Sequence, residues 1–238
     1  MKPHPSLFLR SLAVAVLVAL TALVLASVAT AAEGPKIPAN SANSCAEQIA
    51  WAERLTHMPE RLLASVALAE SGRLDPVTRA KVAWPWTVTS GGQGRYFSTK
   101  QDAIAWVKTL RARGVRNIDV GCMQVNLMHH PEAFATLDEA FDPPTNVAYA
   151  AAFLLSLFQE KRSWPVAVGL YHSATPSFHF AYRNKVQSIW NDERRRAAEE
   201  QRRATMAAYE ERRARVMAEA QAREDARRGV QTAASAVN

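Results

Sequence analysis

The chain has 238 residues, of which 48% are hydrophobic and 21% are charged, and its formal net charge at pH 7 is +7. These values are typical of a globular protein with one substantial core and additional segments. Only one apolar run, near the N-terminus, is long enough to span a bilayer, which excludes a protein that crosses a membrane repeatedly.

Residues 1–32 have the pattern of an export signal. Lys2 and Arg10 precede an uncharged run over residues 11–30, and the small residues 29–31 (Ala-Thr-Ala) suit a cleavage site. An uncleaved membrane anchor is the alternative, since about 20 apolar residues can span a bilayer. We therefore expect a periplasmic protein, whose positive excess favours an anionic polymer such as the cell wall over nucleic acid.

Two cysteines, Cys45 and Cys122, are the only ones in the chain. In an oxidising compartment this pair predicts one disulfide rather than a metal site, and two unrelated buried thiols are the alternative. Cys45 begins the first predicted helix, over residues 45–56. It follows an N-terminal arm, residues 33–44, that is rich in Pro, Ala, Asn and Ser and lacks a core of its own.

An apolar stripe in the next helix, residues 59–70, ends on a carboxylate. Leu63, Val66 and Ala67 recur at helical spacing, and the following position on that face is Glu70. Burial and the negative end of the helix dipole both disfavour an ionised carboxylate, so we expect the pKa of Glu70 to be raised. A carboxyl group with a raised pKa can act as a general acid.

The end of this helix is predicted to turn outward. Gly72 can adopt the left-handed conformation that ends many helices, which places Glu70 and Ser71 within reach of a ligand. The alternative is a structural Glu70 that bends out to solvent or pairs with Arg73 or Arg79.

The remaining segments predict a mainly helical domain with one small β hairpin. The hairpin lies in residues 84–97 around a glycine turn, and residues 119–126 form a turn or a brief extended piece. The last helix of the domain is supported by the spacing of Phe178, Ala181, Tyr182 and Ile189. Further helices are predicted over residues 100–113, 146–158, 164–171 and 177–190.

Residues 191–238 form a segment of different composition, rich in Arg, Glu and Ala. Many of its Glu and Arg residues stand three or four positions apart, which supports a solvated helix. Its large apolar residues are too sparse for a coiled-coil seam. We predict a charged helical or frayed tail without activity of its own.

The order of these motifs resembles that of the soluble lytic transglycosylase (SLT) domain family. Glu-Ser-Gly at residues 70–72 ends a helix, and Asn146 opens a core helix. The second motif consists of Gly121, Met123, Gln124 and Asn126, and the last is Tyr171 after an apolar run. The resemblance covers residues 45–190 and implies a lysozyme-like catalytic domain of the α+β type.

The resemblance implies roles for individual residues. Glu70 matches the single catalytic acid, Met123 and Gln124 match cleft residues, and Tyr171 matches a tyrosine beside the acid. His172 departs from the family, in which Asn commonly follows the tyrosine, and Cys122 stands where Leu is frequent. The segment over residues 82–118 is longer than in many members and is expected to shape one wall of the groove.

Each polar residue of these motifs has a structural alternative. Gln124 and Asn126 alternate and can face one groove to bind sugar groups, although amides also cap loops. Asn146 is either a helix N-cap or a ligand contact, and Tyr171 either donates to Glu70 or packs in the core. We predict substrate contacts for Ser71, Met123, Gln124, Asn126, Asn146, Tyr171 and His172.

Four aromatic residues of the predicted hairpin also have two interpretations. They either stack on sugar rings or form a local hydrophobic cluster, which is the common role of such side chains. These residues are Trp84, Trp86, Tyr96 and Phe97.

The implied reaction cuts the β-1,4 bond between N-acetylmuramic acid and N-acetylglucosamine. The muramyl 6-hydroxyl attacks C1 and leaves a 1,6-anhydro end, so one carboxylate suffices and no metal or cofactor is expected. A hydrolytic muramidase or chitinase is the alternative and needs a second carboxylate, for which Asp75 and Asp119 are candidates.

A wall-binding assembly module is the alternative from another class. In that interpretation, the charged tail contacts an envelope or secretion complex. For the enzyme we expect a monomer that acts on glycan strands.

Overall fold

The computed structural model describes residues 41–76 and 78–235. The predicted export signal, its alternative as an anchor, and residues 33–40 of the predicted arm lie outside the described residues. Residues 41–44 of that arm belong to the first helix, which begins four residues before the predicted boundary. Within the described part of the chain, no helix is both long enough and apolar enough to cross a membrane.

The described residues are mainly helical, as predicted, and contain small antiparallel sheets. The helix Lys100–Ala112 begins where the sequence indicates, because the side chain of Thr99 accepts a hydrogen bond from the backbone N–H of Asp102. The helices of the described part are α1 (Ser41–Thr56), α2 (Leu62–Glu70), α3 (Lys100–Ala112), α4 (Leu137–Ala140), α5 (Pro143–Lys161), α6 (Trp164–His172) and α7 (Pro176–Ser235).

Helix α2 begins at Leu62 and not at Pro59, so its predicted start is wrong. Arg61 has a left-handed backbone with φ 66°, which interrupts the helical path. The carboxylate of Glu53 on α1 accepts hydrogen bonds from the N–H groups of Arg61 at 3.1 Å and Ala64 at 3.0 Å. Glu53 therefore caps α2 from the neighbouring helix, an arrangement that local sequence patterns do not reveal.

Helix α7 runs without a break through the predicted boundary at residue 190. It spans 60 residues and includes most of the predicted tail. The predicted buried face is wrong in part, because Phe178 is 62% exposed whereas His179 is buried. The reason is Gly169 on α6: a Cβ atom added there would lie 2.4 Å from the His179 ring, so the two helices pack closely at this point.

Six short strands form two antiparallel sheets in the described residues. Strands β1 (Gly72–Leu74) and β2 (Lys81–Ala83) pair with each other. Strands β3 (Thr87–Ser90), β4 (Gln93–Tyr96), β5 (Ile118–Val120) and β6 (Val125–Asn126) follow the order β4-β3-β5-β6. The predicted hairpin is confirmed as β3–β4, with positive φ angles at Gly91 and Gly92 in its turn.

The larger hydrophobic core contains side chains from α1, α2, α5, α6, α7 and the segment after β5. A smaller core lies between α3 and strands β3 and β5. The predicted disulfide is confirmed, because Cys45 and Cys122 are bonded across a sequence separation of 77 residues. Closing a loop of this length stabilises the fold by about 4 kcal/mol in the chain-entropy treatment. The bond ties α1 to the loop between β5 and β6.

Candidate active site

Glu70 is the last residue of α2 and continues the buried stripe of that helix. Leu63, Val66 and Ala67 on the same stripe are 0% exposed. Burial of the carboxyl group is the largest cause that raises the pKa of Glu70 from 4.5 to about 7, and the charge of Asp119 acts in the same direction. Glu70 therefore holds a proton up to about neutral pH, in agreement with the expectation from the sequence.

The end of α2 differs from the prediction. Gly72 belongs to strand β1 and is not left-handed. Glycine is needed there for a steric reason, because an added Cβ would lie 2.2 Å from the carbonyl oxygen of Leu68. Ser71 is also not exposed: its side chain is 0% exposed, and its hydroxyl donates to the carbonyl oxygen of Cys122 at 2.5 Å. Ser71 therefore fastens α2 to the β5–β6 loop and does not face a ligand.

The tyrosine that contacts Glu70 is Tyr182 and not Tyr171. The hydroxyl of Tyr182 donates to Oε1 of Glu70 at 2.5 Å. The hydroxyl of Tyr171 donates instead to the carbonyl oxygen of Met123 at 2.8 Å. Burial raises the pKa of both phenols well above 10, so both remain protonated donors. Tyr171 therefore supports the β5–β6 loop, and Tyr182 holds the candidate acid.

No motif of the sequence predicts a functional role for Tyr182. A tyrosine on the buried stripe of a helix requires a hydrogen-bond partner, and a buried carboxyl group requires a donor. That requirement is the only feature of the sequence that points to a bond between a tyrosine and Glu70, and it does not distinguish among the five tyrosines of the chain.

His172 lies against the ring of Tyr182. The two rings are stacked, with centroids 4.5 Å apart and an interplanar angle of 7°. Burial and the charge of Lys185 lower the pKa of His172, while the charge of Asp119 opposes them. The ring is therefore neutral at neutral pH, and its predicted contact with a substrate stays a prediction.

Lys185 is a second residue near Glu70 that no sequence motif predicts. Its ammonium group donates to the carbonyl oxygen of Ala69 at 2.7 Å, at the negative end of α2. Its charge lowers the pKa of Glu70 and thereby opposes the effect of burial.

The loop between β5 and β6 is built around Asn146. This residue is 0% exposed, and its Oδ1 accepts from the N–H of Met123 at 2.9 Å. Its Nδ2 donates to the carbonyl oxygens of Val120 and Ala140. Both interpretations from the sequence are therefore unsupported, since the N-cap of α5 is Asp142 and the amide of Asn146 is fully used by backbone groups.

Gly121 is required in this loop on two grounds. Its φ of 84° lies in the left-handed region, and an added Cβ would lie 2.3 Å from Nδ2 of Asn146. Met123, predicted as a cleft residue, is 0% exposed and belongs to the larger core. Both residues position the loop and do not line an open surface.

Gln124 has an unusual backbone and an unpaired oxygen. Its φ is 49°, a left-handed value that is uncommon for a residue other than glycine. Its Nε2 donates to the carbonyl oxygens of Thr87 at 3.0 Å and Gly121 at 3.1 Å. Its Oε1 is buried and has no donor among the described residues. Gln124 thus offers one free acceptor, and such groups are rare in folded proteins.

Asn126 and Asp119 lie opposite each other on strands β6 and β5. Nδ2 of Asn126 donates to Oδ1 of Asp119 at 2.7 Å, and Oδ1 of Asn126 accepts from the N–H of Met128. Burial raises the pKa of Asp119, while Asn126, His172 and His129 lower it in that order. Asn126 therefore orients a second carboxylate close enough to Glu70 to influence its pKa.

Asp75, the other predicted second carboxylate, has a local role. Its Oδ1 accepts from the N–H of Thr78 at 2.7 Å and from the hydroxyl of the same residue at 2.9 Å. Asp75 is not among the groups that shift the pKa of Glu70. Of the two candidates, only Asp119 belongs to the surroundings of the acid.

The hairpin aromatics form the local cluster that the alternative interpretation predicts. Trp84 is 3% exposed, its ring N–H donates to the carbonyl oxygen of Phe97 at 2.7 Å, and it meets Trp86 edge to face. Tyr96 differs from the others, because it is 46% exposed. Tyr96 is therefore the one of the four whose ring is open to a ligand.

A cleft of about 810 Å³ lies between α1, α2 and β2, and Glu70 does not line it. The buried carboxylate in its wall is Glu53, which caps α2 and has no free role there. We therefore place the candidate site at Glu70, where a raised pKa and an unpaired acceptor occur in neighbouring elements.

No group of three metal-ligating side chains occurs among the residues that the structure describes. Comparison of the chain with protein-family models, curated protein sequences and solved structures found no match.

Proposed function

We propose that this protein is a lytic transglycosylase of peptidoglycan with a lysozyme-like catalytic domain. The observation that carries the proposal is the state of Glu70. Its carboxyl group is desolvated, accepts a hydrogen bond from Tyr182 and has a pKa of about 7. A general acid works best when its pKa is near the working pH, and a glycosidic oxygen must be protonated before its bond to C1 breaks.

Glu70 would act twice in this reaction. First, the protonated carboxyl group gives its proton to the glycosidic oxygen, and the bond between that oxygen and C1 of N-acetylmuramic acid breaks. The Glu70 carboxylate then takes the proton from the muramyl 6-hydroxyl, whose oxygen bonds to C1. The products are a 1,6-anhydro end and a free 4-hydroxyl on N-acetylglucosamine, and Glu70 is protonated again.

Tyr182 and Gln124 would support this chemistry from two sides. The hydroxyl of Tyr182 stabilises the carboxylate that exists between the two proton transfers. The unpaired Oε1 of Gln124 is buried, so its side chain would have to shift before it accepted a hydrogen bond from the N–H of an acetamido group, which both sugars of the substrate carry. An acceptor fixed at this place would orient the sugar relative to Glu70.

The compartment that we propose is the periplasm. Export of the chain stays a prediction from residues 1–32, and the disulfide between Cys45 and Cys122 suits an oxidising compartment. The positive excess of the chain suits an anionic wall polymer.

The test uses Glu70→Gln, which keeps the shape of the side chain and removes the proton. We expect at least about 10²-fold slower release of muropeptides from purified sacculi, with an unchanged circular dichroism spectrum. The matched control is Glu60→Gln, because the side chain of Glu60 is 80% exposed at the start of the same helical region. A Glu70→Gln protein that digests sacculi at the wild-type rate would refute the assignment.

Hydrolysis is the second candidate, because Asp119 raises the pKa of Glu70 and is therefore a nearby carboxylate. A carboxylate in this position could activate a water molecule. Mass spectrometry of the released muropeptides separates the two reactions, since hydrolysis leaves reducing ends that are heavier by one water than anhydro ends. A protein that binds sacculi and releases neither product would be a binding module.

A further inference from the structure

The positive excess of the chain is concentrated in one segment. Residues 73–118 contain nine of the 29 Lys and Arg residues and two of the 22 Asp and Glu residues, which gives this segment a net charge of +7. The other residues therefore contain 20 of each sign and are neutral in sum. The segment comprises strands β1 to β4, helix α3 and the start of β5.

Two arginines of this segment are placed over one tryptophan ring. The Cζ atom of Arg95 lies 4.3 Å from the ring centroid of Trp106, and that of Arg113 lies 6.0 Å from the same centroid. Arg95 also lies 5.9 Å from the Phe97 ring. Both arginines are exposed, so contacts with the rings orient their guanidinium groups without removing them from water.

A third arginine has the same arrangement nearer to the candidate acid. The Cζ atom of Arg73 lies 3.9 Å from the ring centroid of Trp84 and 5.8 Å from that of Tyr96. The hydroxyl of Tyr96 donates to the carbonyl oxygen of Gly72 at 3.0 Å, two residues after Glu70. Arg95 and Tyr96 are successive residues of β4 and point to opposite sides of that strand, so Arg73 lies on the other side from Arg95. We therefore name Arg95 and Arg113 the arginine face.

The arginine face is not neutralised by the protein. Among the described residues, no carboxylate lies within 4.0 Å of the guanidinium groups of Arg95 and Arg113, and the same holds for Arg73. The two acids of the segment have other partners, since Asp75 bonds Thr78 and Asp102 bonds Thr99. Oriented guanidinium groups without an internal partner are suited to carboxylate or phosphate groups of a ligand.

The arginine face belongs to a segment that is hydrogen-bonded to the elements around the candidate acid. Strand β3 of the hairpin pairs with β5, where Thr89 lies opposite Asp119. The N–H of Trp84 donates to the carbonyl oxygen of Ser71 at 3.2 Å. Backbone pairing therefore connects Asp119 and the end of α2 to the segment that carries the arginine face.

We propose that the arginine face binds the carboxylate groups of the peptide stems that branch from the glycan strand. This inference rests on the proposed function, because it takes the glycan of peptidoglycan as the substrate. Peptide stems supply several carboxylates close to the sugar chain, and a guanidinium group can bind a carboxylate through two parallel hydrogen bonds. The arginine face would thus make the protein prefer strands that still carry their peptides.

The experiment measures binding and needs no catalysis. The chain without its predicted export signal carries Glu70→Gln throughout and is sedimented with purified sacculi, before and after an amidase has removed the peptide stems. The test variant combines Arg95→Gln with Arg113→Gln. The matched control is Arg194→Gln, because the Cζ atom of Arg194 lies 5.6 Å from the ring centroid of Trp190 on α7, a ring outside residues 73–118.

We expect the double variant to bind intact sacculi about tenfold more weakly and stripped sacculi less than twofold more weakly, since each exposed pair contributes modestly. The variant with Arg95→Lys and Arg113→Lys keeps the charge and should lose only part of the binding. Thermal unfolding of each variant verifies that it is folded.

Three results would overturn the inference. They are an equal loss on intact and stripped sacculi, an equal loss for Arg194→Gln, and a loss seen only on vesicles of phosphatidylglycerol, which would indicate a membrane surface instead. Failure of the proposed function is a separate result, in which the protein with Glu70 intact releases no muropeptides. The binding of each variant to intact and stripped sacculi would still test the arginine face.

Discussion

The hydroxyl of Tyr182 donates a 2.5 Å hydrogen bond to Oε1 of Glu70, across 112 positions of the sequence. This bond joins the end of α2 to the first turns of α7. Burial favours the protonated form of Glu70, while the bond from Tyr182 favours the ionised form. The balance of these two effects places the pKa of Glu70 at about 7.

Replacing Tyr182 by Phe should move the alkaline limb of the pH–activity profile upward. The hydrogen bond from Tyr182 lowers the pKa of Glu70, so its loss raises that pKa. We expect a movement of about one pH unit, since a hydrogen bond to a charged group contributes about 1.5 kcal/mol and one unit corresponds to 1.36 kcal/mol. The measurement is kcat/KM against pH. Tyr171→Phe is the control, because its hydroxyl bonds Met123, and an equal movement in both variants would contradict the assignment.

Replacing Asp119 by Asn should move the same limb downward. The charge of Asp119 raises the pKa of Glu70, so removing it lowers that pKa. If the protein is a transglycosylase, anhydro muropeptides should still form at pH 5 with less than about tenfold loss, because Asp119 takes no part in proton transfer. A loss of about 10²-fold or more would favour hydrolysis with Asp119 as the base. Asp75→Asn is the control and should leave the limb in place.

The stability of the protein should depend on pH through Glu70. Its pKa is about 7 in the folded state and 4.5 in the reference state, so folding favours the protonated form. The contribution to the free energy of unfolding is fully present below pH 4.5 and is lost as pH rises through 7. The loss at pH 8 is on the order of 3 kcal/mol.

Glu70→Gln cannot ionise and should not lose this stability. Urea unfolding at pH 5 and pH 8 measures the free energy of unfolding of the variant and of the wild type. Asp119 titrates in both proteins, so the comparison between them isolates Glu70. We expect the variant to become the more stable protein as pH rises. A difference that is the same at both pH values would show that the carboxyl group of Glu70 is not desolvated.

Gly121→Ala should be more destabilising than Gly114→Ala. Both residues are left-handed, with φ of 84° and 80°, but an added Cβ meets Asn146 at Gly121 and open space at Gly114. Strain alone costs about 1 kcal/mol, while disruption of the buried bonds of Asn146 should bring the cost at Gly121 to about 3 kcal/mol or more. Urea unfolding tests this prediction, and equal costs would mean that Asn146 can move aside.

The elements that were predicted correctly depend on local patterns. The stripe that ends at Glu70, the glycine turn of the hairpin and the Thr99 cap of α3 can each be identified from a few neighbouring residues. The strands other than the hairpin have two or three residues each, too few for a periodic signal, and they form because distant partners supply the hydrogen bonds. The predicted start of α2 is wrong for the same reason, because the cap of this helix comes from Glu53 on another helix.

The raised pKa of Glu70 could be predicted because burial is its largest cause. Glu70 continues an apolar stripe, so its raised pKa could be expected from spacing. Ser71, Met123 and Asn146 were assigned to the substrate because of their motif positions, yet their side chains are fully buried. Polar groups in that loop bond its own backbone, which a motif does not distinguish from contact with a ligand.

The sequence by itself determined the mainly helical character of the domain, the position of one acid at the end of a buried stripe, and the excess of positive charge in residues 73–118. These features follow from the order of neighbouring residues. Only the tertiary structure decided that Tyr182 bonds Glu70, that Asp119 lies near it, and that three arginines have no acidic partner among the described residues. Such contacts join distant parts of the chain, and their formation depends on how the helices and strands pack.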